Sequence, residues 1–233
     1  MTGWLPELAA AILATVLAIT LHEAAHGYAA LALGDDTAQR AGRLSLNPLR
    51  HVDKVGTLLL PGLLLAVQLL TIGRVEAMFG WAKPVPVDLR RLRNPRLGMV
   101  LVAAAGPAMN FFLAWCAAML AHPLDEWGGL LPPDVLAWAL RFVILSILAN
   151  LVLGLFNLLP VPPLDGGRIL VGLLPARLAL LLARVEPAGL AIVMLMILVL
   201  PRISESLDVV GALAGLALGP GFRLILWLSG HGA

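Results

Sequence analysis

The sequence predicts an all-α polytopic membrane protein, and three observations carry that reading. Of its 233 residues 60% are hydrophobic and 13% charged, with a mean hydropathy of +0.93, whereas soluble domains run near a quarter charged. Several windows of about twenty residues hold few or no charges, the length a helix needs to cross roughly 30 Å of hydrocarbon. Lys and Arg gather in the polar stretches between those windows.

The first helix is expected over residues 8–33. Residues 1–7 carry no Lys or Arg and the apolar run outlasts a signal-peptide core, so it is read as a retained transmembrane helix. Residues 56–72 come next, apolar but interrupted by Pro61-Gly62. Two further spans are expected over 97–121 and 135–159, and a less regular apolar set follows at 169–183, 187–200 and 209–228. Arg40, Arg43, Arg50 and Lys54 follow the first helix, while Lys83, Arg90, Arg91, Arg93 and Arg96 precede the helix that starts at Leu97. The positive-inside rule places both clusters in the cytoplasm. Residues 123–134 have no Lys or Arg and are placed outside. With both basic loops inside, 56–72 cannot cross alone; it is re-entrant, or returns with 76–87 as an extended segment.

Arg90, Arg91, Arg93 and Arg96 need no catalytic role, because anionic lipid attracts such residues by about 1 kcal/mol each. Trp127, Trp138 and Trp227 suit interfacial belts. The net charge of +2 reports loop orientation and implies no nucleic-acid partner. Cys116 is the single cysteine, so neither an intrachain disulfide nor a Cys-based metal site is available. There is no internal repeat, and the longest polar stretch, about 73–96, is too short for a folded domain. The chain is therefore read as one membrane domain over 1–233, with its core at about 8–174 and additional helices at 175–233.

Within the first apolar run stands "HEAAH", His22 to His26. On a helix residues i and i+4 share a face, so His22 and His26 offer two imidazoles to one ion, with Glu23 beside them. In zinc hydrolases of this pattern the Glu takes a proton from a water that the metal acidifies towards a pKa of about 7. A chance match in a chain with five histidines has a probability of roughly a few in a thousand. Ionisable groups at helix depth cost on the order of 2.5–3.5 kcal/mol each, which makes a cluster of three a functional hypothesis by default. Counting about 1.5 Å per residue from Leu8 places His22 roughly 21 Å along the helix. That lies inside the bilayer, towards the cytoplasmic face.

A tetrahedral zinc held by two His and a water lacks one ligand. His122, His231 and Glu186 are candidates near polar or terminal regions. Asp165, in "NLLPVPPLDGGRIL", is stronger: Pro160, Pro162 and Pro163 end the preceding helix, and Gly166-Gly167 permit turns that other residues resist. Irregular backbone at membrane depth is tolerated where protein buries it or where it lines a wet cavity. The plainer alternative is an interfacial loop in which Asp165 pairs with Arg168.

Three motifs, "HEAAH" at 22–26, "AGPAMN" at 105–110 and "NLLPVPPLDGG" at 157–167, together with "GRLSLNPLRHVDKVGT" and "FGWAKPVPV", closely resemble the site-2 proteases. These are the membrane-embedded zinc metalloproteases of regulated intramembrane proteolysis, and the likeness is to their compact prokaryotic branch, over about residues 8–174. The resemblance implies a core of three transmembrane helices, one Zn2+ held by His22, His26 and Asp165, and Glu23 as general base. It also implies that Asn157 orients substrate or stabilises the oxyanion, a role a side-chain amide can fill. The implied substrates are transmembrane proteins, and the implied location is a plasma or inner membrane. No PDZ-sized insertion is present, so a substrate filter is the membrane domain itself or a separate regulatory protein.

Gly106, Pro107 and Asn110 are expected to be structural, with Pro107 kinking its helix and Asn110 satisfying freed backbone or contacting the catalytic helix. Ser146, Asn150 and Gly154 recur every four residues, a small-residue stripe for close helix approach. His51 is read as a loop histidine paired with Asp53, with gating or zinc ligation as its alternative. Two rival functions stay open: a metal transporter, since His and Asp in membrane helices also mark ion paths, and a non-catalytic scaffold for membrane partners.

Overall fold

Three helices packed on one another organise the structure, a computed structural model that describes residues 4–71, 73 and 80–231. Helix α1 (Trp4–Ala32) is apolar on all sides, as a helix between lipid and protein must be. Ala10, Ala14 and Ala18 are buried along it at spacings of four, so its backbone can approach its neighbours closely. Residues 54–59 form a wide turn leading into α2 (Leu60–Thr71). Helix α3 (Pro95–Met119) starts with Pro95 in its first turn and Asn94 as cap, whose side chain accepts the Leu97 N–H at 3.2 Å. Helix α4 (Pro133–Asn157) likewise opens on a proline. Helix α5 (Asp165–Leu173) follows an irregular link that holds a cis Pro162-Pro163 bond.

Helices α1, α3 and α4 contact one another pairwise, and α5 packs on α3. The stripe Ser146, Asn150 and Gly154 is buried on α4. A Cβ at position 154 would sit 3.2 Å from the Phe111 ring and 3.3 Å from Asn110 Cβ, so the smallness of this residue sets the α3–α4 separation. Arg96 closes α5 at its far end, donating to Gly172 O at 2.6 Å and also to Leu174 O. These are two of the carbonyls a helix C-terminus leaves unpaired.

Among the described residues five helical runs are long and apolar enough to cross a membrane: Leu5–Ala32, Pro95–Leu130, Pro133–Asn157, Ala176–Ile203 and Val209–Leu228. The first three bury 39%, 39% and 33% of their apolar windows and the last two 17% each, which makes the first three the core. The C-terminal run joins that core through Ala217 and Ile225, against Ala114 on α3 and Ile147 and Leu151 on α4.

Three expectations change. The apolar stretch 169–183 is broken at Leu174-Pro175 into α5 and a separate helix, Ala176–Ala183, because Leu174, the residue before the proline, takes the extended conformation that a following proline favours. From Ala176 the run continues to Ile203, so 187–200 is part of a longer span. Pro61-Gly62 does not interrupt a helix either. The chain is helical on both sides of it, as a π-helix over Lys54–Leu59 and an α-helix over Leu60–Thr71, and Pro61 stands just past the change from wide to regular turns. With twelve residues α2 is about 18 Å long, short of the roughly 30 Å span.

The expected extended return over 76–87 is described from Gly80 on; residues 72 and 74–79 lie outside the described residues. The N–H groups of Trp81, Lys83 and Val85, every second residue, go to Gly56 O (3.1 Å), His51 O (2.8 Å) and the Glu23 carboxylate (3.0 Å). Alternation of that kind is the mark of an extended chain.

Candidate active site

Residues 80–87 lie along one side of a cavity of about 1160 Å³ whose other side is built by α1, α3, α4 and α5. His22 and His26, one turn apart on α1, turn their rings towards α3 and the start of α5. The nitrogen of each that faces away from the cavity meets an acceptor. His26 Nδ1 donates to Val102 O at 2.7 Å, and His22 Nδ1 lies 2.6 Å from Asn110 Oδ1. A backbone carbonyl can only accept, so His26 carries its proton on Nδ1 and keeps a bare lone pair on Nε2. The same arrangement on His22 leaves its Nε2 bare.

Asp165 completes the cluster from the first turn of α5. Its Oδ2 lies 3.1 Å from His22 Nε2 and 3.3 Å from His26 Nε2, while the two Nε2 atoms are 3.0 Å apart. With both imidazoles neutral, three acceptor atoms converge on one point, and Asp165 Oδ2 is then buried with no donor facing it. Such a group is costly unless a cation balances it. Atoms at the corners of a tetrahedron of radius about 2.0 Å stand roughly 3.3 Å apart, the spacing zinc asks of nitrogen and oxygen ligands. The donor set of two imidazoles and one carboxylate fits zinc, and His22, His26 and Asp165 are the group able to hold a metal among the described residues. The other third-ligand candidates are engaged elsewhere. His122 and His231 stack on each other at 3.8 Å, and Glu186, although it lines the cavity, pairs with Arg168 at 3.4 Å. That pair also removes Arg168 as the partner of Asp165.

Glycines let these elements close on the cluster. A Cβ at Gly106 on α3 would stand 2.5 Å from His26 Nε2 and 2.6 Å from His22 Cε1. This glycine, read from sequence as structural, therefore determines whether both rings fit. Gly166 and Gly167 do not adopt positive φ, contrary to the expectation of unusual turns. Their side-chain hydrogens face backbone instead: a Cβ would collide with Leu158 and Leu159 carbonyls at 166, and with Val161 and Pro162 at 167.

Glu23 is half-buried, lines the cavity, and accepts the Val85 N–H through Oε2. Asn157, at the end of α4, lines it too, with its Nδ2 turned back to Leu153 O at 3.0 Å. His51 is not paired with Asp53. Asp53 caps the turn that follows it, accepting the Val55 and Gly56 N–H groups at 2.9 and 2.7 Å. His51 is instead 3% exposed and lines the cavity; its Nε2 donates to Ser45 O at 2.8 Å and its Nδ1 is buried without a partner.

Asp35, just past α1, escaped the sequence reading although its place in "LGDD" is a helix-end signal. It is fully buried, accepts the Thr37 N–H at 2.9 Å and the Asp88 N–H at 2.7 Å, and so ties the end of α1 to the end of the 80–87 segment. Burial pushes its carboxyl up, but the hydrogen bonds from Thr37 and Asp88 outweigh this and hold it below the usual carboxylate range.

Comparison with known proteins gives the same chemistry. The model of Peptidase family M50 matches residues 134–200, the stretch that carries Asn157 and Asp165. YwhC of Bacillus subtilis, provisionally named a zinc metalloprotease, is 39% identical over 190 residues, 82% of this chain and 80% of that protein. Rip2 of Mycolicibacterium smegmatis, under the same provisional description, is 30% identical over 65% of this chain and 52% of its own length. Rip3 of Mycobacterium tuberculosis, also so described, is 37% identical over 45% of this chain and 22% of its own. No solved structure matches at comparable stringency. Identity sustained over four-fifths of both chains, joined to five membrane-length helices and a zinc-fitting donor set, makes this multi-pass membrane protein a metalloprotease of peptidase family M50, of the compact site-2 type.

Proposed function

We propose that the protein is an intramembrane zinc endopeptidase that cuts transmembrane segments of other membrane proteins, towards the cytoplasmic side of a plasma or inner membrane. The observation that carries this reading is the convergence of His22, His26 and Asp165 at 3.0–3.3 Å in a large cavity among membrane-length helices. These three residues hold the ion, which when bound supplies an acidified water and a polarised scissile carbonyl.

Glu23 is the general base. Val85 N–H anchors its Oε2, which leaves Oε1 to take the proton and to deliver it to the departing amine. Asn157 can turn an N–H from Leu153 O to the developing oxyanion. A substrate helix hides its peptide bonds in internal hydrogen bonds, so part of it must unwind before these groups can reach it. The irregular 80–87 segment, with the 56–71 stretch to which it is bonded, is the wall that gives way.

The test is cleavage of a single-span substrate in liposomes by wild type, by wild type with a chelator, and by Glu23→Gln. Glu23→Gln is expected to keep zinc and lose about 10²–10⁴ in rate. Cleavage that survives the chelator would remove the metal from the reading, and wild-type turnover by Glu23→Gln would remove the base.

A further inference from the structure

Behind His22 lies a chain of buried amides that runs away from the cavity. Asn110 on α3 is fully buried and Asn150 on α4 is 3% exposed. Asn150 Nδ2 donates to Ser146 O at 2.9 Å, Asn110 Nδ2 donates to Asn150 Oδ1 at 2.9 Å, and Asn110 Oδ1 faces His22 Nδ1 at 2.6 Å. A second contact, Asn110 Nδ2 to Ala18 O at 3.4 Å, agrees with that orientation.

The direction of the chain follows from its far end. Ser146 O is a backbone carbonyl and can only accept, so the amide of Asn150 must present its N–H₂ there and its oxygen to α3. Asn110 must then offer its N–H₂ to Asn150 and its oxygen to His22. His22 must carry its proton on Nδ1, and its Nε2 is left as a lone pair beside His26 Nε2 and Asp165 Oδ2. We infer that Asn110 and Asn150 are positioning residues: together they fix the protonation pattern and the ring orientation of His22 that zinc binding requires, so the ion's affinity depends on α4 as well as on the helices that supply its ligands. The inference rests on the zinc reading above and adds two residues to which the family resemblance assigned no chemistry.

Burial makes the relay directional. No water competes for these groups, so reversing one amide sets acceptor against acceptor at one end of it and donor against donor at the other. Leucine at position 110 has nearly the shape of asparagine but accepts nothing. Aspartate keeps an oxygen in place to accept from His22 Nδ1 and gives up only the donation to Asn150, which cannot turn over without setting its own oxygen against Ser146 O. The two substitutions therefore separate the acceptor from the shape.

The experiment measures zinc itself, as the competition of the purified protein in detergent against a chromogenic chelator, at fixed pH. Asn110→Leu is expected to weaken zinc 10–100-fold, the range for loss of a partner behind a metal ligand. Asn110→Asp should restore affinity to near wild type, and Asn150→Leu should lower it by a smaller factor. Wild-type affinity in Asn110→Leu overturns the inference, and so does an equal loss in Asn110→Leu and Asn110→Asp, which would mark a requirement for shape alone. Should Asn110→Leu fail to give a monodisperse protein, Asn150→Leu decides, since wild-type affinity there breaks the relay. A wild-type protein that binds no zinc sinks the proposed function instead, and does so before any variant is compared.

Discussion

The two sides of the cavity are held by different kinds of bond. On the helical side His22, His26 and Asp165 are each fixed by a packed neighbour behind them: the Asn110 amide behind His22, the Val102 carbonyl behind His26, and close backbone against Gly166 and Gly167 beside Asp165. On the other side residues 80–87 are held by single backbone N–H groups donating to Gly56 O, His51 O and the Glu23 carboxylate, supplemented by Thr57 Oγ1 to Trp81 O and Arg43 to Lys83 O. Side-chain packing in a core has one arrangement and resists displacement, whereas N–H and C=O groups released from a neighbouring segment can re-pair with any extended chain that takes its place. The difference supports the division of labour proposed above, in which one wall holds chemistry at fixed distances and the other opens to admit substrate.

The largest effects should come from the rigid wall. Asp165→Ala removes one of the three proposed ligands, so zinc affinity should fall by more than the 10–100-fold expected for an outer partner, with cleavage lost alongside. Retained zinc in that variant would place the third ligand elsewhere. Gly106→Val puts a branched side chain where even a Cβ stands 2.5 Å from His26 Nε2. Overpacking of this kind costs about 1–3 kcal/mol, and here it should appear first as lost zinc, because the imidazoles are what must move. A variant that unfolds less cooperatively but binds zinc normally would show that α3, not the rings, gives way.

The wall proposed to open calls for the opposite outcome, activity lost while zinc is kept. Ala82 on the segment and Phe156 on α4 both line the cavity. Cysteines at these two positions, in a Cys116→Ala background and joined by a short cleavable linker, should suppress cleavage at least tenfold without changing zinc content. Breaking the linker should restore turnover. Equal rates before and after linkage would show that substrate enters elsewhere.

How much of this was legible in the sequence follows from the same contrast. The spacing of His22 and His26 is local, and a helix converts it into a shared face without help. Asp165 could be shortlisted, but its pairing with α1 is a tertiary fact that only the α3–α5 contact supplies. Asn110 looked structural because an amide's role depends on what stands opposite, and the Val102 carbonyl leaves no trace in sequence, since every residue has one. The break at Pro175 was readable but was outweighed by the apolar run around it. Pro61 was misread because nothing in the sequence marks the π-helical turns before it, through which the chain stays helical.

The smallest effect concerns the hinge between the walls, where Asp35 holds the Asp88 N–H on one side and Thr37 on the other. Its carboxyl sits below its ordinary value of 3.8 in the folded protein. A depressed carboxylate stabilises the fold above its unfolded pKa, and that contribution is lost as pH falls through the folded one. Asp35→Asn should therefore lower stability in detergent by about 1–3 kcal/mol at pH 7, the cost of a mismatched buried donor. The gap to wild type should narrow as both are acidified below about pH 4, where wild type loses the same charge. A gap that stays constant across that range would mean that Asp35 acts by shape and not by charge. The charged bond left on the 80–87 segment would then be the one from Val85 N–H to Glu23, and Glu23→Gln, which puts an amide where Val85 now finds a carboxylate, would loosen that wall as well as remove the proposed base.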